Sequence, residues 1–487
     1  MKFINTYSKL GKDFFSKTEI EAFENPILID YNTELAEELG LNLNENEVKE
    51  YFSGQKLFSG SEIISSVYAG HQFGSFVPQL GDGRAHLLGE IDAKNHSSYE
   101  IQLKGSGKTP YSRFGDGKAV LRSSIREYLA SEALHYLGIP TTRALCLIGS
   151  DENVMREGVE KAAMVTRVSP SFVRFGHFEF FTHNKQPENT RILADYIIEK
   201  FYPDALSFQN KYEKFFYLVM NKTAKLMAKW QAFGFTHGVM NTDNMSILGI
   251  SIDYGPYGFV DGFDYGYVPN HSDHTGRYSY MNQPQIAHWN LFALSYGLEP
   301  VLPLNLAKEI LSLYSDIFSR EYIDIMRQKL GLKQKKPEDL QLIQGLMQLL
   351  NDFEVDYTIF FRHLCELKIN EINSNLHKMF KKPEYFIEWE EKYKKRIMLE
   401  NWADYNKNPS KLEKERELEM KKINPKFILR NYLAETAIRQ ATYAEDYSEV
   451  KKLRQILKKP FDEQAEFEVY AAPPPDWSKD ICISCSS

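Results

Sequence analysis

Asp243, Asn244 and Asp253 are the residues whose types and spacing speak most directly of chemistry. They lie in His237-Gly-Val-Met-Asn-Thr-Asp243-Asn244 and in Asp253-Tyr254-Gly255, separated by the mainly apolar run Met245 to Ile252, which reads as a short hairpin. A side-chain amide oxygen and a carboxylate are hard donors, the kind that hold Mg²⁺ while it bridges nucleotide phosphates. Asp243, adjacent to Asn244, is the carboxylate left free to act as proton acceptor.

The order His, Asp, Asn, then Asp-aromatic-Gly is also that of the phosphoryl-transfer signature His-Arg-Asp-x-x-x-x-Asn followed by Asp-Phe-Gly. The interval from His237 to Asn244 matches it, but Val239 stands where that signature has its catalytic carboxylate. The pattern points to a kinase-shaped nucleotide site turned to something other than ordinary phosphorylation.

Such a site needs groups upstream that receive phosphates. Gly81-Asp-Gly83-Arg84 precedes an apolar strand; glycines there let backbone N–H groups approach phosphate, although by itself the segment is an ordinary turn. Lys104 closes the next strand and Glu127 falls inside the next helix, the pairing by which kinases hold a phosphate-binding ammonium. Asp116-Gly117 lies just before that helix, where orphan N–H groups favour anions and where an aspartate also serves as a turn or cap. Arg167 and Arg174, seven apart, fall at and after a strand end that a kinase would line with apolar residues for adenine. Guanidinium groups there suit phosphate oxygens and make a poor adenine slot. Gly105-Ser-Gly-Lys-Thr109 imitates the end of a Walker A loop, but Gln102 occupies the first glycine position and Pro110 disturbs the expected helix. His271, Asp273 and His274 cluster in the loop after Asp253-Tyr-Gly; their spacing is weak evidence for a metal and reads better as a polar loop.

The elements that must position these groups follow from periodicity. Residues 1–60 read as a loop-rich lead-in. From 61 to 175 the chain is strand-rich: Ala85 to Ile91, Tyr99 to Lys104, Arg143 to Ile148 and Ala162 to Val168 have strand patterns, with a helix from Ala119 to Tyr136 ended by Gly138 and Pro140. Residues 176–460 read as mainly helical around the loop that carries both motifs, and 461–487 as an irregular tail. The fold class expected is α+β: a kinase-like bilobal arrangement of strand-rich small lobe and helical large lobe, with additions at both ends.

Composition limits the alternatives. The 487 residues are 43% hydrophobic, enough for a large core, and the net charge of −7 argues against non-specific nucleic-acid binding. No apolar run approaches the roughly 20 residues of a membrane-spanning helix, and the first residues match neither a secretory signal nor a transit peptide. Four cysteines form no disulfide scaffold, so the expectation is a cytoplasmic protein without membrane or nucleic-acid partners.

The chain resembles the SelO (selenoprotein O) family of kinase-fold protein adenylyltransferases. The resemblance rests on Tyr68-Ala-Gly-His-Gln-Phe-Gly74, Gln79-Leu-Gly-Asp-Gly-Arg-Ala85, Gln102-Leu-Lys-Gly-Ser-Gly-Lys-Thr-Pro-Tyr-Ser-Arg113, Gly115-Asp-Gly-Lys-Ala119, the two motifs above and a Cys482-Ile-Ser-Cys485 terminus. It implies ATP bound upside down relative to kinases, with phosphates near Lys104, Arg167 and Arg174, and nucleotide contacts from Gly81, Gly83, Arg84, Asp116, Gly117 and Asp253. It implies Glu127 orienting Lys104, Asn244 and Asp253 holding Mg²⁺ or Mn²⁺, and Asp243 as proton acceptor. AMP would pass to Ser, Thr or Tyr hydroxyls of protein substrates. UTP with Mn²⁺, a conventional kinase and an inactive nucleotide-binding scaffold are the competing readings. Cys485 stands where eukaryotic relatives carry selenocysteine, which implies a thiol pair with Cys482 and a possible redox partner.

Overall fold

The computed structural model describes residues 3–95, 97–405 and 408–484. Its secondary structure is mixed α+β. One antiparallel sheet dominates the first third of the chain: β1 (Phe15–Lys17), β2 (Ile27–Tyr31), β3 (Ile64–Gln72), β4 (Ser75–Gly81), β5 (Ala85–Asp92), β6 (Ser98–Lys104), β7 (Ala119–Val120), β8 (Arg143–Met155) and β9 (Val159–Ser169). The spatial order is β1-β3-β5-β6-β9-β8-β2, with β4 paired to β3 and β7 to β9.

The alternation of side chains across a strand gives this sheet two different faces. On β6, Ile101 and Leu103 are fully buried on one side. They join Leu145, Ile148 and Met164 in a core completed by Phe23, Leu35, Val48 and Phe52. The last three come from α1 (Thr33–Glu38) and α2 (Glu45–Phe52). Residues before 61 are thus part of the sheet and its cover: β1 pairs with β3, and β2 with β8. Read from sequence as a loop-rich lead-in, this stretch carries two strands and two α-helices. Gln102 and Lys104 alternate with Ile101 and Leu103 and take the opposite face, and Arg167 is the register partner of Gln102.

Helix α3 (Leu121–Tyr136) packs against β8 and β9. It starts two residues later than its propensities suggest because Ala119 and Val120 pair with Ala163 and Ala162. It stops where Gly138 takes a left-handed φ of 75° ahead of Pro140. α4 (Phe175–His183), α5 (Pro187–Phe201), α6 (Lys211–Phe233) and α7 (Gln283–Gly297) follow. Among the described residues nine further α-helices lie between Leu304 and Leu457, and no helix of those residues is long and apolar enough to cross a membrane. The last two helices, Asn431–Tyr443 and Ser448–Leu457, return to pack on α3. The tail continues as two short 3₁₀ turns, Ala465–Ala471 and Asp476–Asp480. Cys482 is exposed, and Cys485 lies outside the described residues.

Two short strands close the loop that carries both motifs. α6 ends at Gly234 in a left-handed C-cap. Phe235–Thr236 (β10) then pairs with Gly258–Phe259 (β11). Everything from His237 to Tyr257 is therefore a loop pinched at its base. Met245 to Ile252, expected as a self-paired hairpin, instead bridges outward: Ser246 to Arg174 and Ser251 to Thr141. Its polar backbone is satisfied by neighbouring segments, so it has no need to pair with itself.

Candidate nucleotide site

The pinched loop is held from below by buried polar contacts. The Trp230 ring stacks on His237 at 5.3 Å, and its Nε1 donates to Ser251 Oγ at 3.0 Å. His237 Nε2 and the Ile252 carbonyl lie 2.8 Å apart, joining the two motif segments. From α7, Asn290 donates to the Met240 carbonyl at 2.9 Å and Gln283 accepts from the His237 N–H at 2.9 Å. Together these contacts hold the loop without drawing on the side chains of Asp243, Asn244 or Asp253.

These side chains face a cleft of about 610 Å³ beneath the sheet. Gly81, Gly83, Arg84, Lys104, Asp116, Gly117, Arg167, Arg174, Asp243, Asn244 and Asp253 all line it. Glu127 stands behind them. Its Oε2 lies 2.5 Å from Lys104 Nζ, while its Oε1 accepts from Arg167 Nε. Arg167 also donates to Asp253 Oδ1 and, at 3.2 Å, to Gln102 Oε1. Arg174 donates to Asp253 Oδ2 and to the Asp243 carbonyl at 2.9 Å, with its guanidinium 5.0 Å above the Tyr68 ring. Lys104, Glu127, Arg167, Arg174 and Asp253 thus form one continuous ionic network, and Asp253 adopts a left-handed φ of 56° within it.

Burial and neighbouring charge set the protonation of this network. Burial lowers Lys104 to about 8, aided by the positive charge of Arg167 and opposed by Glu127. Burial opposes ionisation of Glu127, yet Arg167 and Lys104 hold it below the usual carboxylate range. Asp253, equally penalised by burial, is held well below that range by Arg167, Arg174 and Lys104. Asp243 behaves differently. Burial pushes it up to about 7, against a hydrogen bond from Gln72 and the charge of Arg174. An ionised carboxylate among cations and a carboxylate ready to take a proton therefore sit in the same cleft.

The outer loops are shaped for close approach. A Cβ on Gly83 would come within 2.8 Å of the Tyr111 carbonyl, and one on Gly117, whose φ is 74°, within 2.2 Å of Gly107. Asp116 accepts from Lys118 N at 2.9 Å and forms a two-point ion pair with Arg156 at 2.7 and 3.0 Å. In this structure its carboxylate shapes the loop, and Arg156 brings one more cation to the cleft wall. Arg156 is carried by the turn joining β8 and β9 and has no local sequence signal, while Tyr68, which supports Arg174, opens a recognisable segment without its role being apparent there. Gln72 belongs to a recognisable segment, but its type alone suggests nothing.

The donor set suits a hard divalent cation. Asn244 Nδ2 is spent on the Val239 carbonyl at 3.0 Å, which leaves its amide oxygen as the ligand atom, and Asp253 is ionised. Among the described residues no group of three or more His, Cys, Asp or Glu side chains gathers for a metal. Two protein oxygens completed by phosphate and water is the usual Mg²⁺ arrangement beside a nucleotide. Asp273 instead caps the backbone N–H groups of Arg277 and Tyr278, at 3.1 and 2.7 Å.

Comparison with known proteins places the chain in a family. The profile described as "Protein adenylyltransferase SelO" matches residues 1–458. Proteins named protein nucleotidyltransferase YdiU are similar over 100% of this chain and 99% of their own length. They are 48% identical in Thiobacillus denitrificans, 46% in Thioalkalivibrio sulfidiphilus and 45% in Pseudomonas fluorescens strain SBW25. With its whole length matched and its candidate site residues drawn into one cleft, the chain belongs to the SelO family of nucleotidyltransferases.

Proposed function

We propose that this protein transfers AMP from ATP to Ser, Thr or Tyr hydroxyls of protein substrates and releases pyrophosphate, with ATP lying triphosphate-inward in a kinase-like bilobal frame. The observation that carries this reading is the cationic floor. Arg167 and Arg174 are only 4% and 2% exposed, and both converge with Lys104 on Asp253. Buried guanidinium groups at that strand end favour phosphate and disfavour adenine. A triphosphate pointing inward presents its α-phosphorus towards the cleft mouth, while the β- and γ-phosphates rest on the floor.

Asp243 takes the proton of the acceptor hydroxyl as its oxygen attacks the α-phosphorus. The bond from that phosphorus to the bridging oxygen breaks, and pyrophosphate departs with its growing charge met by Lys104, Arg167 and Arg174. Gly81, Gly83 and Gly117 line the cleft where backbone can approach the nucleotide closely, and Arg84, partly buried within reach of Glu127, Asp253 and Arg167, adds a further cation for the phosphates. Asn244 and Asp253 would hold Mg²⁺ or Mn²⁺, which supplies further positive charge to the phosphates when bound.

Label position tests this directly. With ATP labelled at the α-phosphate, proteins should acquire label; with γ-labelled ATP they should not. Transfer of γ-label alone would establish a conventional kinase and overturn the proposal. α-Labelled UTP with Mn²⁺, run in parallel, separates adenylyl from uridylyl transfer.

A further inference from the structure

The hairpin of β3 and β4 turns through Phe73 and Gly74, both left-handed at φ 50° and 88°, the two-residue turn that suits the twist of paired strands. This tip is fastened to the catalytic loop. The His71 N–H donates to Thr242 Oγ1 at 2.7 Å, and the Phe73 N–H donates to Asn241 Oδ1 at 3.1 Å and to Tyr278 Oη at 3.0 Å. Thr242 donates in turn to Glu179 at 2.7 Å, and Glu179 lies 3.1 Å from His71 Nδ1. The backbone on both sides of Gln72 is therefore fixed against the segment that carries Asp243.

The consequence falls on the carboxylate. Asp243 is only 7% exposed. Its Oδ1 is buried without a hydrogen-bond partner and faces Gly70, where an added Cβ would lie 2.5 Å away. Its Oδ2 receives the Gln72 amide at 3.2 Å. One oxygen is sealed by backbone and the other is covered by a donor from the cleft wall. With Oδ1 buried, a hydroxyl that hands its proton to Asp243 must approach Oδ2, the oxygen this amide covers.

We propose that the Gln72 carboxamide occupies the seat of the acceptor hydroxyl on Asp243 Oδ2 and keeps water from that seat until a protein side chain displaces it. The inference rests on the nucleotidyltransfer reading and adds to it a means of choosing the acceptor. Water is the competing nucleophile: it would attack the α-phosphorus, lose its proton to Asp243, and leave free AMP and pyrophosphate. An amide on a pinned backbone needs only side-chain rotation to leave, and a docked protein segment can hold it aside where a lone water cannot. Gln72 acts through Asp243 and the acceptor, not on the nucleotide.

The test uses the purified full-length protein, α-labelled ATP and Mg²⁺, and measures AMP attached to protein alongside AMP released into solution. Gln72→Ala should raise the ratio of released to attached AMP by about tenfold, of the order expected when one hydrogen-bonded competitor worth about 1.4 kcal/mol is removed. Gln72→Leu, which refills the space without the amide, should give a smaller rise. An unchanged ratio in Gln72→Ala overturns the proposal, as does an equal fall of both products, which would make Gln72 a support for Asp243 alone. An equal rise in the two variants overturns water exclusion as the cause. If the unaltered protein attaches no α-label at all, it is the nucleotidyltransfer reading that fails.

Discussion

Lys104 and Lys329 are both withdrawn from water, and their surroundings keep them there by opposite means. Lys104 lies in the cleft, 2.5 Å from Glu127 and 3.7 Å from Asp253. Lys329, 2% exposed in the helical part, has its ammonium 4.1 Å from the Phe361 ring centroid, 5.1 Å from that of Tyr357 and 5.4 Å from that of Phe233. Among the described residues no carboxylate lies within ion-pair distance of it. Burial lowers Lys329 to about 7 against a smaller opposing influence of Cys365, and lowers Lys104 to about 8. Aromatic faces stabilise a cation less than carboxylates do once water is excluded. The comparison teaches that burial alone does not mark a site. What marks Lys104 is that its carboxylates are shared with two arginines around open space.

Breaking the shared carboxylate should do most. Glu127→Ala leaves Lys104 and Arg167 buried with a partner removed and should cost about 3–5 kcal/mol of stability, read by denaturant unfolding. Lys104→Ala should instead spare the fold and strike the chemistry. α-Label transfer should fall by about 10²–10³-fold, or about 2.7–4 kcal/mol of barrier, the scale seen when one preorganised donor is lost. Transfer at the wild-type rate would remove Lys104 from the proposed floor. Lys329→Met, similar in size and uncharged, should raise stability at pH 6 by about 1 kcal/mol and leave label transfer within about twofold.

The smallest effect sharpens the contrast through pH. The folded-state pKa of Lys329 is depressed to about 7 from 10.5. Between those values the unfolded chain binds a proton that the folded chain does not, so the stability of the native sequence rises with pH. Below about 7 both states are protonated and the penalty of burial is constant. The advantage of Lys329→Met should therefore decline above pH 7, with a slope of at most about 1.4 kcal/mol per unit, and be gone by pH 9. Parallel unfolding curves over that range would show that the ammonium is not buried as described.

Much of this arrangement was legible in the sequence because it follows from two periodicities. The strand pattern over Tyr99–Lys104 puts Gln102 and Lys104 on one face, and the uninterrupted helix ending at Gly138 brings Glu127 across from them. Pro110 after Thr109 correctly removed the P-loop reading: Thr109 N donates to Ser112 Oγ in a turn. What stayed hidden depends on distant partners. β1 and β2 are short, and their meaning lies in β3 and β8, far along the chain. β3 and β4 carry Ser, Gly, His, Gln and Pro at positions where a strand normally shows alternation, and the tip of their hairpin bonds to Asn241, Thr242 and Asp243 instead of entering a core. The apolar residues of α1 and α2 gave no sign of their destination until the back of the sheet was seen to need covering. Gln72 is an ordinary residue made special by the oxygen it covers.

The ionic network around Asp253 has one more consequence. With both its oxygens engaged by Arg167 and Arg174, the floor already contains an anion of its own. An incoming ligand does not fill a bare positive hole; it must outbid a resident carboxylate for those guanidinium groups. Multiply charged phosphate chains succeed in such an exchange far more readily than a monoanion, so the ground state of the cleft discriminates by charge before any base is read. On the proposed reading, the carboxylate so released would be free to turn towards a cation accompanying the phosphates.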